Sequence, residues 1–410
     1  MRKYISFTIL FGVILITLNA CKSEPIEVVT FIEAPIGANG SESSLHKSED
    51  GTIYLTWIET NEETGSKLLF STLNSANTWS ASKTIATGND WFVNWADFPS
   101  MVSFGENNLA VHYLEKSAPD TFTYDVKVTV SNDNGNTWNT SFAPHTDNTH
   151  AEHGFVSKTE MNDDAFLSVW LDGRQMAYAE KDSTIAKEMT LRGAIIGKDG
   201  TLLNEYLLDS RVCDCCQTDT AMTNDGPIVV YRDRSANEIR DIYYTRLVND
   251  QWTAPTPVYN DNWNINGCPV NGAAISAKAD NVATFWFTMA NETPKVKVAF
   301  SNNNGETFNA PINISDVEPM GRVDIELLED NSALVSWMDI VNDNTVIQLQ
   351  RVQSDGTLSE LITLTESSES RSSGFPRMVV KDDFAYVSWT HVGDDKLSLK
   401  TAVVNTKAIN

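Results

Sequence analysis

The stretch SEDGTIYLTWIE, residues 48–59, joins an Asp-Gly turn to a strand of alternating apolar residues that contains Trp57 near its end. Six later stretches of the chain have the same order of turn, alternating strand and aromatic side chain. Their aromatic residues are Tyr113, Trp170, Tyr231, Trp286, Trp337 and Trp389. Successive aromatics are between 51 residues (Trp286 to Trp337) and 61 residues (Trp170 to Tyr231) apart, so one unit recurs along the whole chain.

A regular repeat of this length, built from strands and turns, is typical of a β-propeller, in which each repeat forms one blade of a ring. The sequence therefore predicts an all-β fold, a seven-bladed β-propeller with four antiparallel strands per blade. Within residues 155–208, for example, strands are expected at 155–159, 165–171, 191–196 and 202–207. The repeated aromatics are expected to pack between neighbouring blades.

The last repeat contains only three candidate strands, at 376–380, 384–390 and 397–404. The strand-like segment 27–33 precedes the first repeat and is expected to supply the missing outer strand of the last blade. This pairing would close the ring and protect open sheet edges. Because no linker-like composition divides the chain, residues 26–408 are predicted to form a single domain.

The first residues have the pattern of a secretory signal. Arg2 and Lys3 precede an apolar run over residues 5–18, and Ala20 precedes Cys21. The cysteine at this place resembles the lipobox of bacterial lipoproteins. That resemblance implies a signal peptide over residues 1–20, a lipid on Cys21 and a tether over 21–25. It also implies a location in the bacterial cell envelope, periplasmic or surface-exposed at the outer membrane; the alternative is an ordinary signal peptide.

The composition is strongly acidic, with a formal net charge of −25. Such a charge repels nucleic acid and anionic lipid, which argues against a nucleic-acid partner. Contact with a membrane is therefore expected only through the lipid anchor. No cofactor is expected, and the protein is predicted to be a monomer.

A second repeat lies in the expected turns between third and fourth strands. Residues 131–138 read SNDNGNTW, residues 301–308 read SNNNGETF, and 71–79 contain a weaker copy. These resemble the Asp-box, or BNR repeat, of the sialidase-like β-propeller superfamily. The resemblance covers about 30–405 and implies a propeller, more often six-bladed, with exo-sialidase activity. Residues 41–46 contain no arginine, however, whereas sialidases have a Phe-Arg-Ile-Pro type motif near this point.

Loops that enter the first strand of each blade and loops that leave the second strand should meet at one end of the ring, because the two strands are antiparallel. Carboxylate pairs there would suit glycoside hydrolysis, and arginine forks would suit an acidic sugar. The candidates for proton transfer are Asp97, Glu152, Asp172 and Asp233. The candidates for substrate binding are Arg174, Arg232, Arg234, Arg322, Arg377, Trp91, Trp263 and Gln217, with Trp95 as a further stacking residue.

Three functions follow from these residues. The first is binding and exo-glycosidase hydrolysis of an acidic glycan or glycoconjugate; the second is binding without catalysis of a glycan or protein. The third is metal or thiol chemistry at Cys213, Cys215, Cys216 and Cys268. Four cysteines in an exported chain indicate disulfides, with three pairings open, among them Cys215–Cys216 beside Cys213–Cys268. A soft ion such as Cu(I) is the alternative to disulfides at this cluster.

Overall fold

The structure, a computed structural model, describes residues 28–35, 40–315, 317–394 and 396–409. The expected signal peptide, Cys21 and the tether 21–25 lie outside these residues. Within the described ranges, no helix is both long enough and apolar enough to cross a membrane.

The described chain forms seven β-sheets, each one blade of a ring. A first strand, β1, lies at Val29–Ile32. Blade 1 contains β2–β5 at Gly40–Lys47, Ile53–Asn61, Gly65–Thr72 and Lys83–Gly88. Blade 2 contains β6–β8 at Met101–Phe104, Asn108–Lys116 and Tyr124–Ser131. Blade 3 contains β9–β12 at His153–Asn162, Ala165–Asp172, Thr190–Gly197 and Leu202–Asp209, with the short helix α1 at Arg174–Ala179.

The second half of the ring follows the same plan. Blade 4 contains β13–β17 at Asp219–Thr223, Gly226–Arg232, Ile242–Val248, Gln251–Trp252 and Thr256–Pro257. Blade 5 contains β18–β21 at Ala273–Lys278, Asn281–Thr288, Lys295–Ser301 and Ile312–Ser315. Blade 6 contains β22–β25 at Pro319–Leu327, Ala333–Val341, Asn344–Val352 and Ile362–Glu366. Blade 7 contains β26–β28 at Arg377–Lys381, Phe384–Val392 and Leu397–Asn405. Single-turn 3-10 helices lie at Ala290–Glu292, Arg371–Ser373 and Thr406–Ala408.

The seven-bladed prediction is confirmed, and the six-bladed alternative is excluded. The closure is confirmed as well, because β1 pairs antiparallel with β28, from Val29 opposite Val404 to Ile32 opposite Thr401. The ring is therefore sealed by a strand from the beginning of the described chain inserted beside one from its end.

Two blades depart from four regular strands. In blade 2 the place of the fourth strand holds only a bridge between Val128 and Phe142. Pro144 follows two residues later and has no N–H to offer a sheet ladder. In blade 4 the third strand, β15, pairs with both β16 and β17, which are two residues each. Proline again accounts for the interruption, because Pro255 and Pro257 lie in this segment.

The repeated aromatics lie between the blades, as the sequence predicts. Trp57, Trp170, Tyr231, Trp286 and Trp337 are all at most 1% exposed. In each case the ring belongs to a hydrophobic cluster that draws residues from two neighbouring blades. Burial of each such side chain stabilises the fold by roughly 2–3 kcal/mol.

The turns at 131–138 and 301–308 have the same internal hydrogen bonds. The backbone N–H of Gly135 donates to Ser131 Oγ at 2.9 Å, and the N–H of Thr137 donates to Asp133 Oδ1 at 2.8 Å. Gly135 has a φ of 74°, which favours glycine. These turns follow the third strands, so they lie at the end of the ring opposite the loops that enter the first strands.

Candidate functional site

Non-glycine residues in the left-handed conformation surround the end of the ring where the first strands begin. Glu42, Phe155, Val270 and Arg322 have φ values of 50°, 56°, 51° and 53°. In blades 1, 3 and 6 the register between the first two strands shifts at these points, which marks β-bulges. A left-handed β-branched residue such as Val270 is rare, and strained positions of this kind cluster at functional sites.

A cleft of about 690 Å³ opens at this end of the ring; we call it the mouth cleft. It receives side chains from the loops of several blades, because every first strand begins here. The lining residues that carry the chemistry are Glu42, Phe92, Trp95, Phe122, Glu152, Asp214, Arg371 and the cystine formed by Cys215 and Cys268.

The carboxyl groups of the mouth cleft hold protons more tightly than free carboxyl groups do. Burial raises the pKa of Glu152 to about 7; Asp214 adds to the rise, and a hydrogen bond from Tyr124 Oη at 2.7 Å opposes it. Burial also raises the pKa of Glu42 to about 7, and it raises the pKa of Asp214. Carboxyl groups that exchange protons near neutral pH are suited to general acid–base catalysis.

Aromatic rings form the apolar part of the mouth cleft. Trp95 stacks on Phe375 with ring centroids 5.7 Å apart. Phe92 stacks on Tyr124 at 4.1 Å and meets the edge of Phe122 at 6.1 Å. Because Phe122 is 63% exposed, it presents a free apolar surface beside the carboxyl groups. Flat apolar surfaces next to polar groups are suited to an amphipathic ligand such as a sugar ring.

Of the four carboxylates predicted for proton transfer, Glu152 lines the mouth cleft. Asp97 lies behind the lining, is 6% exposed, and accepts a hydrogen bond from the N–H of Phe155 at 2.5 Å. Burial raises its pKa to about 7. Asp97 thereby fixes the left-handed turn at Phe155.

Asp172 is fully buried and accepts hydrogen bonds from Trp170 Nε1 at 2.7 Å and from Arg174 Nη2 at 2.7 Å. The same arrangement joins Trp337 to Asp339 at 3.1 Å. A carboxylate two residues after the interblade tryptophan therefore satisfies a buried indole N–H. The recurrence of Trp-x-Asp or Trp-x-Glu in several blades is the sequence signal that identifies this structural role.

Asp233 lies at the junction of blades 3 and 4, away from the mouth cleft. Burial and the neighbouring Asp209 raise its pKa to about 7. Asp209 itself accepts a hydrogen bond from the hydroxyl of Tyr231 at 2.7 Å. The carboxyl group of Asp233 thus has a like group beside it, which favours its protonated form.

The arginines predicted to bind an acidic substrate are engaged by protein groups. Arg232 is 1% exposed and donates to the backbone oxygens of Asn271, Arg240 and Phe287 at 2.7–2.8 Å. Arg322 is 5% exposed and donates to the carbonyl of Gly374 at 3.0 Å. Through these hydrogen bonds both side chains hold loops together at the end of the ring where the first strands begin.

The remaining predicted arginines form ion pairs. Arg234 pairs with Glu238 at 2.7 Å, and Arg377 pairs with Asp324 at 3.4 Å inside the axial cavity of the ring. Arg174 pairs with Asp172. The arginine that lines the mouth cleft is Arg371, which the sequence did not single out. Glu42 was missed too, although an acidic residue in the buried first strand of a blade is an available signal.

The other predicted binding residues pack within the ring. Trp91 is 9% exposed and stacks on Tyr113 at 4.2 Å, and Trp263 is 5% exposed in the core of blade 5. Gln217 donates from Nε2 to the carbonyl of Ala96 at 2.7 Å and accepts from the N–H of Gly272 at 3.0 Å. Trp95 is the predicted stacking residue that reaches the mouth cleft.

The four cysteines within the described residues form one disulfide, between Cys215 and Cys268, whose Cα atoms are 6.2 Å apart. Cys213 and Cys216 are buried free thiols with their Sγ atoms 3.3 Å apart. The prediction that all four cysteines form disulfides is therefore wrong for Cys213 and Cys216, and the pairing of Cys215 with Cys216 beside Cys213 with Cys268, one of the three left open, is excluded. The loop that carries Cys268 reaches across to Cys215, so the adjacent pair is not joined.

A second polar cluster, which we call the blade-3 cluster, contains Asp125, His145, Asp147, His153, Asp172 and Arg174. The rings of His145 and His153 are stacked 4.0 Å apart, and His145 Nδ1 lies 2.7 Å from Asp147 Oδ1. Although burial opposes both shifts, hydrogen bonds to Asp125 and Asp147 raise the pKa of His153 to about 9, and hydrogen bonds from the two histidines hold that of Asp147 well below its usual range.

Donor atoms of Asp125, His145 and His153 in this cluster lie within 4.8 Å of one another, which raises the question of a metal ion. The two imidazole planes are only 7° from parallel. A bound ion requires ligand lone pairs that converge on one point. The nitrogen lone pairs of two parallel, stacked rings point in parallel directions instead. The cluster therefore fits shared protons and ion pairs better than a metal centre.

No protein-family model and no curated protein matches the chain. Among solved structures, it is similar to a protein of unknown function from Dyadobacter fermentans, with 14% identity, a TM-score of 0.52, and coverage of 94% of this chain and 100% of the other. An alpha-L-arabinanase from Penicillium chrysogenum complexed with arabinobiose has 12% identity over 91% and 95% of the chains, with a TM-score of 0.46. The endosialidase of phage phi92 has 10% identity over 92% and 68%, with a TM-score of 0.48. At these identities the likeness concerns the fold alone, and the fold of this chain is a seven-bladed β-propeller.

Proposed function

We propose that the protein binds a glycan in the mouth cleft and cleaves it with Glu152 as a proton-transfer group. The observation that carries this proposal is the placement of aromatic surface, the exposed ring of Phe122 and the half-buried ring of Trp95, beside carboxyl groups with pKa values near 7. Glycoside hydrolysis needs one carboxyl group that is protonated near neutral pH and a second carboxylate. Glu152 and Glu42 are two carboxyl groups of the cleft with pKa values of about 7, so each can hold or release a proton near neutral pH.

The charges in the mouth cleft favour a neutral glycan over an acidic one. Glu42, Glu152 and Asp214 line the cleft with Arg371, whereas the arginines predicted to hold an acidic sugar are occupied by carbonyl groups and carboxylates. An additional carboxylate on the ligand would meet three like groups. We therefore expect neutral oligosaccharides to bind more tightly than uronic or sialic acid oligosaccharides at pH 8.

The test compares two carboxyl groups whose pKa values are both raised to about 7, Glu152 inside the cleft and Asp233 outside it. Glu152→Gln should keep glycan affinity within a few-fold and lose at least about 100-fold in turnover, which is the usual contribution of a general acid or base. Asp233→Asn should leave both unchanged. Binding is measured by calorimetry against panels of neutral and acidic oligosaccharides, and turnover by release of reducing ends.

Two outcomes would contradict the proposal. If the unaltered protein binds a glycan and releases no reducing ends from any member of the panel, it is a binding module without catalysis. If Asp233→Asn loses as much activity as Glu152→Gln, the mouth cleft is not the site.

We further propose that the protein is a monomer anchored by a lipid on Cys21 in the bacterial cell envelope. The support is the N-terminal sequence, in which a basic start and an apolar run precede that cysteine. The mass of the N-terminal peptide decides this: an unmodified Cys21 in the mature protein would refute the anchor. Light scattering of the detergent-solubilised protein would test the monomer.

A further inference from the structure

Four sulfur atoms lie together where the mouth cleft meets the interior of the ring. The disulfide of Cys215 and Cys268 lines the cleft, and Cys268 is an exposed residue. Cys213 and Cys216 lie behind it and are 0% and 1% exposed. Cys213 Sγ is 3.3 Å from Cys216 Sγ and 4.0 Å from Cys268 Sγ. Cys213 is thus placed between a buried thiol and one sulfur of an accessible disulfide.

The surroundings of Cys213 favour a thiolate there. Arg240 Nη1 donates to Cys213 Sγ at 3.2 Å, and Glu238 holds the same guanidinium at 2.8 Å. A hydrogen bond from Cys216, together with Arg232 and Arg240, lowers the pKa of Cys213 to about 6 against the effect of burial. Burial raises the pKa of Cys216 well above its usual value. The pair is therefore unequal, with one nucleophilic sulfur and one protonated thiol, as thiol–disulfide exchange requires.

We propose that these four cysteines form a thiol–disulfide exchange relay, in which the buried pair Cys213 and Cys216 exchanges a disulfide with the outer pair Cys215 and Cys268. This inference is independent of glycan binding. The spacing Cys-x-x-Cys between Cys213 and Cys216, the contact with Arg240 and the distance to Cys268 all support it.

The exchange consists of two balanced steps and needs no external oxidant. In the first, the Cys213 thiolate attacks Cys268 Sγ, the bond between Cys268 and Cys215 breaks, and Cys215 leaves as a thiolate. In the second, Cys216 gives its proton to the Cys215 thiolate and attacks Cys213, the bond between Cys213 and Cys268 breaks, and Cys268 leaves as a thiolate. One disulfide and one thiolate are present before and after, and a pair of thiol groups has moved from the interior to the mouth cleft.

The outer pair is the point at which the relay would meet a partner. Because Cys268 is exposed, a small thiol such as glutathione can reach this disulfide, whereas Cys213 and Cys216 are closed off by the ring. The chemical class of the partner is therefore a thiol or disulfide in solution. Its reducing equivalents would be passed inward by the reverse of the same two steps.

The test uses the full protein brought to one disulfide per chain in glutathione buffers of defined ratio. After acid quenching, free thiols are alkylated and the disulfides are mapped by mass spectrometry. We expect two linkages in equilibrium, Cys215–Cys268 and Cys213–Cys216. In Cys216→Ser the second step is blocked, so the Cys213–Cys268 linkage should accumulate to at least about one tenth of the chains.

Cys213→Ser is the matched control and should show Cys215–Cys268 alone. Near-ultraviolet circular dichroism of each variant establishes that the ring is folded. The proposal is overturned if the folded protein keeps Cys215–Cys268 as its single linkage in every buffer and in Cys216→Ser. It is equally overturned if the isolated protein contains one equivalent of copper or zinc that protects Cys213 and Cys216 from alkylation, since the pair would then be a metal site.

Discussion

The mouth cleft and the blade-3 cluster are two groups of carboxyl side chains at the same end of the ring, and they behave in opposite ways. Glu152 belongs to the first and His153 to the second, although the two residues are consecutive in the chain. In the cleft, burial raises the pKa of Glu152, and the neighbouring His153 offsets only part of the rise; in the cluster, Arg174 and His153 keep the pKa of Asp172 low despite its burial. The partners of a carboxyl group, and not its position on the ring, separate a candidate catalyst from a structural ion pair.

The largest expected effect comes from removing the guanidinium group of the blade-3 cluster. Arg174→Met leaves Asp172 and Asp147 buried without their guanidinium partner, and should lower the free energy of unfolding by about 3 kcal/mol or more. Arg371→Met, at the exposed arginine of the mouth cleft, should change it by less than about 0.5 kcal/mol. Urea denaturation measures both. Equal losses in the two variants would remove the distinction between the regions.

The second prediction concerns pH, because the two regions respond with opposite sign. Glu42 has a pKa of about 7 in the folded protein against 4.5 ordinarily, so the folded state binds its proton more tightly. Its contribution to stability is present below pH 4.5 and is lost as the pH rises through 7. The pKa of Asp172 is lowered, so its contribution is present above its ordinary value of 3.8 and is lost as the pH falls through the folded value.

Glu42→Gln should therefore be more stable relative to the unaltered protein at pH 8 than at pH 5, by about 2 kcal/mol. Asp172→Asn should show the reverse: its unfolding free energy should fall furthest below that of the unaltered protein at neutral pH, and less near pH 3. Unfolding free energies over this range decide the matter. A difference between Glu42→Gln and the unaltered protein that does not vary with pH would show that Glu42 ionises normally.

The smallest expected effect on stability comes from the aromatic lining of the cleft. Phe122 is 63% exposed, so Phe122→Ala should change the unfolding free energy by less than about 0.5 kcal/mol. The contact between this ring and the glycan should contribute about 1 kcal/mol to the binding free energy, so its loss should weaken glycan binding five- to tenfold. Phe384→Ala is the control, since Phe384 is 40% exposed and begins β27, at the opposite end of the ring. Unchanged affinity in Phe122→Ala would exclude this ring from the glycan site.

The number of blades and the closure of the ring could be predicted because each repeat carries its own turn and its own interblade aromatic, such as Trp170. The interrupted outer strands of blades 2 and 4 could not, since the segments near Pro144 and Pro257 lack periodic apolar residues. Topology also predicted that the entering loops meet at one end of the ring, which is where the mouth cleft opens. It did not reveal which side chains reach the cleft, because that depends on the bulge at Phe155 and on the carbonyl groups that engage Arg232 and Arg322.

The pairing of β1 with β28 sets the order in which a nascent chain can complete its fold. Strand β1 finds its neighbour only after residues up to Asn405 have left the ribosome, whereas the other six sheets join strands that lie close together along the chain. Contacts between such distant segments form slowly because a long loop must close. Until β1 and β28 pair, β28 has an unpaired edge. In the interval between its synthesis and this pairing, the new protein is most vulnerable to chaperone capture and misassembly.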